Sequence, residues 1–322
     1  MRVLVLAANY RNAKAWGHET FLDEVARQHT VVRPANPRGL DVPAFTDEHG
    51  PFDVVLVQHL QFSDEYRGLG IVGAVTVCLV EDYFPRHITL KNTLLSKHEF
   101  DMVFLSQRSF VTAAETLRYC HQLPDDQRYA WLPFSVDPDT FFAPCLEQRR
   151  FAASFVACDH PFEYPNRRAV AESLALRDTT YGERFVRLTP NPIGVECPKG
   201  VVFQREYADL LRVSRVGVAS IDRHGSCNLR HFEIPLAGSV LLTDGPPNDF
   251  AALGFVEDVH YVKYSGVNEM LDKLRYLAEW PDVASEIALA GQRLVAGNHT
   301  HRVRVKQMFD EIRKTFLGGD DV

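Results

Sequence analysis

Short apolar runs that end in polar residues recur along the chain. A run that is this short and apolar throughout is typical of a strand buried on both faces, as in a parallel sheet. Segments with helical spacing, such as residues 18–28, separate the runs, and strands that alternate with helices indicate βαβ units. The sequence therefore predicts an α/β fold. The predicted strands are residues 3–6, 30–32, 54–59, 75–80, 102–105, 153–156, 216–219 and 240–242.

Length and composition predict a soluble, cytoplasmic protein of two domains. The 322 residues suffice for two domains of ordinary size, and 46% hydrophobic and 24% charged residues are typical of a globular chain. The apolar run at the N-terminus is too short for a signal peptide, and no run reaches the ~18 apolar residues that span a bilayer. The formal net charge of −7 argues against non-specific binding to nucleic acid.

Residues 228–244 combine a polar cluster, a helical segment, a glycine and an apolar strand. Glu233 lies near the start of the predicted helix, where backbone N–H groups can bind phosphate oxygens and a carboxylate can accept hydrogen bonds from a ribose diol. Arg230 adds a cation suited to a diphosphate, and Gly238 can cap the helix. The segment predicts a sugar-nucleotide site. The alternative is an ordinary Rossmann-like helix with Glu233 and Arg230 in solvent.

This segment resembles the C-terminal signature of glycosyltransferases of the GT-B fold, in particular the CgeB-like group, whose members carry a similar Asn-x-Arg-x-Phe-Glu-x-x-x-x-Gly run. Two further matches follow the order of that family. Residues 131–141 are similar to the linker between the two GT-B domains, and residues 262–302 are similar to the closing helices. The resemblance is loose over the part of the chain that precedes this linker.

The resemblance implies two Rossmann-like domains that face a central cleft, with the C-terminal helix packing back toward the N-terminal domain. We expect an acceptor domain at residues 1–135, a linker at 136–150 and a nucleotide-sugar donor domain at 151–322. The nucleotide base is expected to lie against residues 190–195 and 202–203.

The resemblance also implies a reaction, the transfer of a hexosyl or pentosyl group from a nucleoside diphosphate sugar to an acceptor hydroxyl. A UDP-sugar is the default donor, and the acceptor is a glycan, a small molecule, a protein or a modified nucleic acid. We expect no cofactor besides this co-substrate and no essential metal. In this fold, cationic side chains and helix ends stabilise the negative charge that a metal ion stabilises in other enzymes. A transferase that acts on a hydroxymethylated DNA base and a non-catalytic sugar-nucleotide or glycan-binding protein are the alternatives.

The donor site is expected to combine a ribose ligand with cations for the phosphates. The resemblance implies that Glu233 holds the ribose and that Arg230 neutralises the departing diphosphate. Either Arg167 or Arg168, near the start of another helix, is expected to assist. The loop residues expected to enclose the donor sugar are His224, Ser226 and Asn228.

One position departs from the pattern of the family. Many retaining members carry a second acidic residue eight positions before the one that matches Glu233, and this chain has Gly225 there. Either Asp222 or His224 replaces that acid, or the donor sugar is held differently. Retention and inversion of the anomeric centre therefore both stay open.

Polar residues after the predicted strands of the first half are the candidates for the acceptor site, because ligands of parallel sheets bind beyond the carboxyl ends of the strands. Asp82, His87 and His18 are the candidates for the general base of an inverting reaction, and the sequence does not rank them. The ring of Tyr83 can stack on a sugar, but the surrounding segment can equally be an ordinary turn. The residues expected to contact the acceptor are Asn9, Tyr10, His18, His59 and Tyr83.

Overall fold

The computed structural model of the chain divides into two compact units. The first consists of Met1–Tyr10, Phe21–Pro133 and Arg304–Val322, and the second of Arg11–Thr20 and Phe134–Val303. Each unit contains one parallel sheet. The residues that the structure describes are 1–7, 18–35, 37, 39–58, 66–71, 73–80, 98, 100–108, 111, 127–144, 149–157, 164–175, 204–223, 225–245 and 249–318.

The sheet of the first unit has six parallel strands in the order β2-β1-β3-β4-β5-β6. All five strands predicted in this part of the sequence are present. The sequence does not predict β6, because this edge strand is polar and only half-buried and so lacks an apolar run. The strands are β1 (Arg2–Ala7), β2 (Thr30–Val32), β3 (Val54–Gln58), β4 (Val75–Val80), β5 (Met102–Leu105) and β6 (Arg128–Trp131).

Alternate side chains of these strands fill two hydrophobic cores, one on each face of the sheet. Val55 and Val57 of β3 belong to one core, which also receives helix α2 (Val42–His49). Val54 and Leu56 of the same strand belong to the other core, together with helix α1 (His18–Gln28). The sheet is therefore covered on both faces, as the apolar runs predict.

The last helix, α9 (His301–Phe316), belongs to the first unit from Arg304 onward. Four of its residues, spaced so that they lie on one face of the helix, are buried in the same core as α1. This confirms the expectation that the C-terminal helix packs back toward the N-terminal domain. The four residues are Val305, Met308, Phe309 and Ile312.

The sheet of the second unit has four parallel strands in the order β10-β9-β8-β7. The three strands predicted here are present, and the short β10 extends the sheet. The strands are β7 (Phe151–Phe155), β8 (Ser214–Ala219), β9 (Val240–Thr243) and β10 (Val262–Lys263). The helices are α3 (Pro138–Phe141), α4 (Arg167–Ala175), α5 (Gln204–Arg212), α6 (Arg230–Leu236), α7 (Val267–Glu279) and α8 (Pro281–Asn298). No helix in the described ranges is long and apolar enough to cross a membrane.

Helix α6 lies unusually close to the sheet of the second unit. A Cβ atom at Gly217 of β8 would lie 2.6 Å from Cγ2 of Ile234 on α6, so only glycine permits this approach. Gly238 ends the helix, as predicted, because it adopts a φ of 76° and its N–H donates to the carbonyl of Pro235 at 2.8 Å. The position of α6 is thus determined at both its packing face and its C-terminus.

The substitution Gly217→Ala is expected to destabilise the second unit by about 1–3 kcal/mol, because the added methyl group forces α6 away from β8. The measurement is the free energy of unfolding from urea denaturation. Gly297→Ala on α8 is the matched control. That position has open space around it, and alanine there is expected to raise stability by up to about 1 kcal/mol. Equal effects of the two substitutions would contradict the close packing of α6.

Candidate functional site

The candidate site lies at the carboxyl ends of β7, β8 and β9 in the second unit. Val156, Ser220 and Asp244 directly follow these three neighbouring strands. Parallel strands bring the residues that follow them to one edge of the sheet, which is where such sheets bind ligands. The N-termini of α4 and α6 are tied to the same edge through the hydrogen bonds described below.

Asn228 positions the start of α6. Its Oδ1 accepts a hydrogen bond from the N–H of Arg230 at 3.1 Å, and its Nδ2 donates to the carbonyl oxygen of Ser220 at 3.0 Å. The amide therefore caps the helix and ties it to the end of β8. The predicted contact of Asn228 with the donor sugar stays a prediction, whereas its capping role is visible in the structure.

Arg230 is the first residue of α6, and its side chain reaches the end of β7. Its Nε donates a hydrogen bond to the carbonyl oxygen of Val156 at 2.5 Å, and the side chain is partly buried. This contact holds the guanidinium group at the end of β7. The arginine is therefore part of the site rather than a cation in solvent.

Arg167 and Arg168, which the sequence does not distinguish, lie in different environments. Arg167, at the start of α4, is 4% exposed and donates from Nε to the Ser220 hydroxyl at 3.1 Å. Its guanidinium carbon lies 3.3 Å from the centre of the Tyr164 ring. Arg168 is exposed. Of the two, Arg167 is the one at the strand ends beside Arg230.

His231 joins α6 to β9 as a neutral side chain. Its Nδ1 accepts a hydrogen bond from the N–H of Asn228 at 3.1 Å, and its Nε2 lies 3.3 Å from the Thr243 hydroxyl. The pKa of His231 is lowered to about 3, mainly by burial; the hydrogen bond with the backbone of Asn228 opposes this shift, and the positive charges of Arg230 and Arg167 add to it. His231 is thus a buried link that holds the arginine-bearing end of α6.

Glu233 lies on the first turn of α6 and is half-buried. Its carboxylate makes no hydrogen bond to any residue in the described part of the chain. Burial raises the pKa of Glu233 to about 7, although the positive charge of Arg230 acts in the opposite direction. The group is thus available to a ligand that offers hydrogen-bond donors.

The raised pKa of Glu233 predicts a pH-dependent stability. Between pH 4.5 and about 7 the folded protein holds a proton that the unfolded chain has released. The contribution of the neutral carboxyl is therefore complete below pH 4.5 and is lost as the pH rises through about 7. We expect the free energy of unfolding to fall across this window by at most about 3 kcal/mol.

The measurement compares wild type with Glu233→Gln by urea denaturation at several pH values between 5 and 8. Glutamine matches the neutral carboxyl in shape, and every other titrating group is common to both proteins. The stability difference should therefore shift in favour of the variant as the pH rises. A difference that does not change with pH would contradict the raised pKa.

In the loop between β8 and α6, Asp222 accepts two hydrogen bonds from backbone N–H groups of later loop residues. Oδ1 of Asp222 accepts a hydrogen bond from the N–H of Ser226 at 3.0 Å, and the carbonyl of Asp222 accepts one from Gly225. Gly225 has a φ of 71°, in the left-handed region that favours glycine. This backbone explains why the chain has glycine, and not an acidic residue, at that position. The Ser226 hydroxyl is buried and unpartnered within the described part of the chain.

Sequence reasoning missed two residues of this site, His231 and Asp244. His231 lies within a helix, and no local signal marks it. Asp244 lies two residues after the predicted strand 240–242, and its position alone does not mark it as part of the site. It accepts hydrogen bonds from the N–H of Ile221 at 2.7 Å and from Nδ2 of Asn166 at 2.9 Å, and burial raises its pKa.

Most residues expected at the acceptor site fall outside the described residues. For His18 the structure describes the backbone at the start of α1 and not the side chain. The described part of the chain contains no group of three His, Cys, Asp or Glu residues that could hold a metal ion. The predictions that lie outside the described residues are Asn9, Tyr10, His59, Asp82, Tyr83, His87, His224 and residues 190–195 and 202–203.

Residues 167–310 match the family model described as "Glycosyl transferase-like". This range begins at Arg167 and includes Arg230 and Glu233. No curated protein is significantly similar to the chain in sequence.

Several solved structures share its fold. HepE of Anabaena, in complex with UDP and glucose, is 11% identical, with a TM-score of 0.63 over 98% of this chain and 100% of that chain. Sucrose-phosphate synthase of Thermosynechococcus elongatus is 10% identical, with a TM-score of 0.62 over 99% of this chain and 100% of that chain. The BGT protein of T4 phage, in complex with its UDP-glucose substrate, is 12% identical, with a TM-score of 0.56 over 98% of this chain and 99% of that chain. The chain therefore has the GT-B fold, and over residues 167–310 it is similar to the glycosyl transferase-like family.

Proposed function

We propose that this protein transfers a sugar from a nucleoside diphosphate sugar, with UDP as the nucleotide, to an acceptor hydroxyl. One observation carries the proposal. The first residues of two helices, Arg167 and Arg230, are arginines anchored at the carboxyl edge of the same sheet, and both charges act on the buried His231. Glu233 follows Arg230 on the same helix. Two cations beside a carboxylate match a diphosphate linked to a ribose diol.

The chemistry of the transfer explains why cations are needed here. The acceptor oxygen forms a bond to the anomeric carbon of the sugar while the bond from that carbon to the phosphate oxygen breaks. Negative charge develops on the departing diphosphate, and the acceptor proton passes to a base. Positioned positive groups stabilise this charge without having to reorganise. Asp82, His87 and His18 stay the predicted candidates for the base.

Proteins of the same fold support the choice of nucleotide. HepE was solved with UDP and glucose, and the T4 phage BGT protein with UDP-glucose. Transfer without an essential metal is part of the same proposal, since the arginines supply the positive charge.

The proposal is tested by thermal stability in the presence of UDP, GDP, dTDP, ADP, CMP or NAD, because a ligand that binds only the folded state raises the melting temperature. We expect a selective shift with UDP, and loss of this shift in Glu233→Ala. Arg275→Ala, which removes an exposed arginine of α7 within the same unit, is the matched control and should keep the shift. The absence of a shift with any nucleotide would refute the donor site.

A second measurement separates an enzyme from a binding protein. Wild type is incubated with UDP-glucose and related UDP-sugars, and the release of UDP is followed with and without candidate acceptors. A selective UDP shift without release of UDP from any donor would favour the non-catalytic alternative.

A further inference from the structure

Tyr164 lies three residues before the start of α4, in a turn that brings its ring back to the first residue of that helix. The turn runs through Pro165 and Asn166 to Arg167, and the carbonyl oxygen of Tyr164 accepts a hydrogen bond from the N–H of Arg167 at 3.3 Å. Proline at the second position favours such a turn, because its ring fixes φ near the value that the turn requires. Tyr164 and Arg167 thus stand at the two ends of one closed turn.

A side chain within the turn ties it to the sheet of the second unit. Nδ2 of Asn166 donates a hydrogen bond to Oδ2 of Asp244, directly after β9, at 2.9 Å. Oδ1 of Asp244 accepts a hydrogen bond from the N–H of Ile221, in the loop after β8, at 2.7 Å. Asp244 therefore links the turn to the carboxyl ends of two neighbouring strands.

The ring of Tyr164, which is itself half-buried, covers one face of the Arg167 guanidinium group. The guanidinium carbon lies 3.3 Å from the ring centre, and at this distance the flat group avoids overlap only when it lies over the face of the ring. A cation in that position is attracted by the negative charge of the ring face. All five N–H donors of a guanidinium group lie in its plane, so a ring stacked on its face fixes the plane without occupying a donor.

Arg167 is therefore restrained by two contacts of different kinds. The hydrogen bond from Nε to the Ser220 hydroxyl fixes one edge of the guanidinium group, and the ring of Tyr164 fixes its plane. A long side chain that a ligand has to immobilise lowers affinity, because its rotamer freedom is lost on binding. An arginine that is already ordered has lost this freedom during folding, so binding no longer carries that cost.

We propose that Tyr164 is a positioning residue of the donor site. Its ring orients the Arg167 guanidinium group toward the diphosphate of the nucleotide, and the ring itself makes no contact with the phosphates. The inference rests on the proposed function, since it places a diphosphate beside Arg167.

The test measures the dissociation constant of UDP by calorimetry for wild type, Tyr164→Phe and Tyr164→Leu. Phenylalanine keeps the aromatic face, whereas leucine removes it. We expect Tyr164→Phe to bind UDP as wild type does and Tyr164→Leu to bind it about three- to tenfold more weakly, the usual cost of immobilising one long side chain on binding. Tyr276→Leu, at an exposed position of α7, is the matched control and should bind UDP as wild type does.

A double-mutant cycle with Arg167→Ala separates positioning from a structural role. If Tyr164 acts through Arg167, Tyr164→Leu weakens UDP binding when Arg167 is present and has no further effect when Arg167 is alanine. A purely structural role, or a direct contact of Tyr164 with the nucleotide, predicts the same factor in both backgrounds.

Three results would overturn the role of Tyr164 and leave the proposed function standing. The first is UDP binding by Tyr164→Leu that equals wild type, while Glu233→Ala abolishes it. The second is an equal loss in Tyr164→Phe and Tyr164→Leu, which would assign the effect to the hydroxyl and not to the ring. The third is the same weakening by Tyr164→Leu with and without Arg167. If wild type does not bind UDP, the proposed function fails, and the role of Tyr164 fails with it.

Discussion

Replacing Arg230 by alanine is expected to lower the rate of sugar transfer by a factor of about a hundred to a thousand, the usual effect of removing one preorganised donor from a developing charge. The guanidinium is held at the end of β7 by the bond from Nε to the carbonyl of Val156, and Arg167 is held nearby by Ser220. Both are in place before the diphosphate departs. The alanine variant lacks one of these cations when the bond to the sugar breaks.

The measurement is the turnover number and KM for UDP-sugar, with UDP release as the readout. The loss should fall mainly on the turnover number, because the charge of the leaving group is greatest in the transition state. Arg275→Ala should retain wild-type values. Arg230→Lys should remain impaired, because a single ammonium group cannot both anchor to Val156 and donate in parallel to phosphate oxygens. Near-wild-type turnover in Arg230→Ala would refute this assignment.

Phe309→Ala is expected to destabilise the first unit by about 3–5 kcal/mol, the usual cost of removing a buried aromatic ring. Phe309 is 1% exposed, and its ring lies 3.9 Å from that of His29, which follows α1. The cavity left behind opens in the core shared by α1, α9 and the sheet. A substitution near the C-terminus should therefore unfold the part of the protein that contains the N-terminus.

Urea denaturation gives the free energy of unfolding, and Glu311→Ala on the exposed side of α9 is the matched control. Glu311 lies two positions from Phe309 in a solvent-facing environment, so its removal should change stability by less than about 0.5 kcal/mol. If the two substitutions had similar effects, α9 would not be an essential part of this core.

The sheets could be predicted because their signal is local. A strand buried on both faces must be apolar at every position, and such runs are visible in the sequence without knowledge of their neighbours. The prediction fails where this condition fails. β6 is a half-buried edge strand with charged and aromatic residues, and β10 has only two residues.

Part of the candidate site could be predicted for a similar reason. Arg230, Glu233 and Gly238 lie on one short helix, so their spacing along the chain already places them near one another. The choice between Arg167 and Arg168 could not be made in this way. Adjacent residues of a helix point in directions about 100° apart, and which of them faces the sheet depends on how the helix is rotated against it.

The amino-acid sequence was sufficient to predict the α/β class and the helix bearing Arg230 and Glu233, because these features depend on local periodicity and on one short motif. The return of the C-terminal helix was implied by the resemblance to the GT-B family and not by any local pattern. Tertiary packing alone decided that Arg167 is buried at Ser220 and that burial raises the pKa of the Glu233 carboxyl to about 7. Burial and the distances between charges depend on residues that are remote in sequence, and they exist only once the elements are packed together.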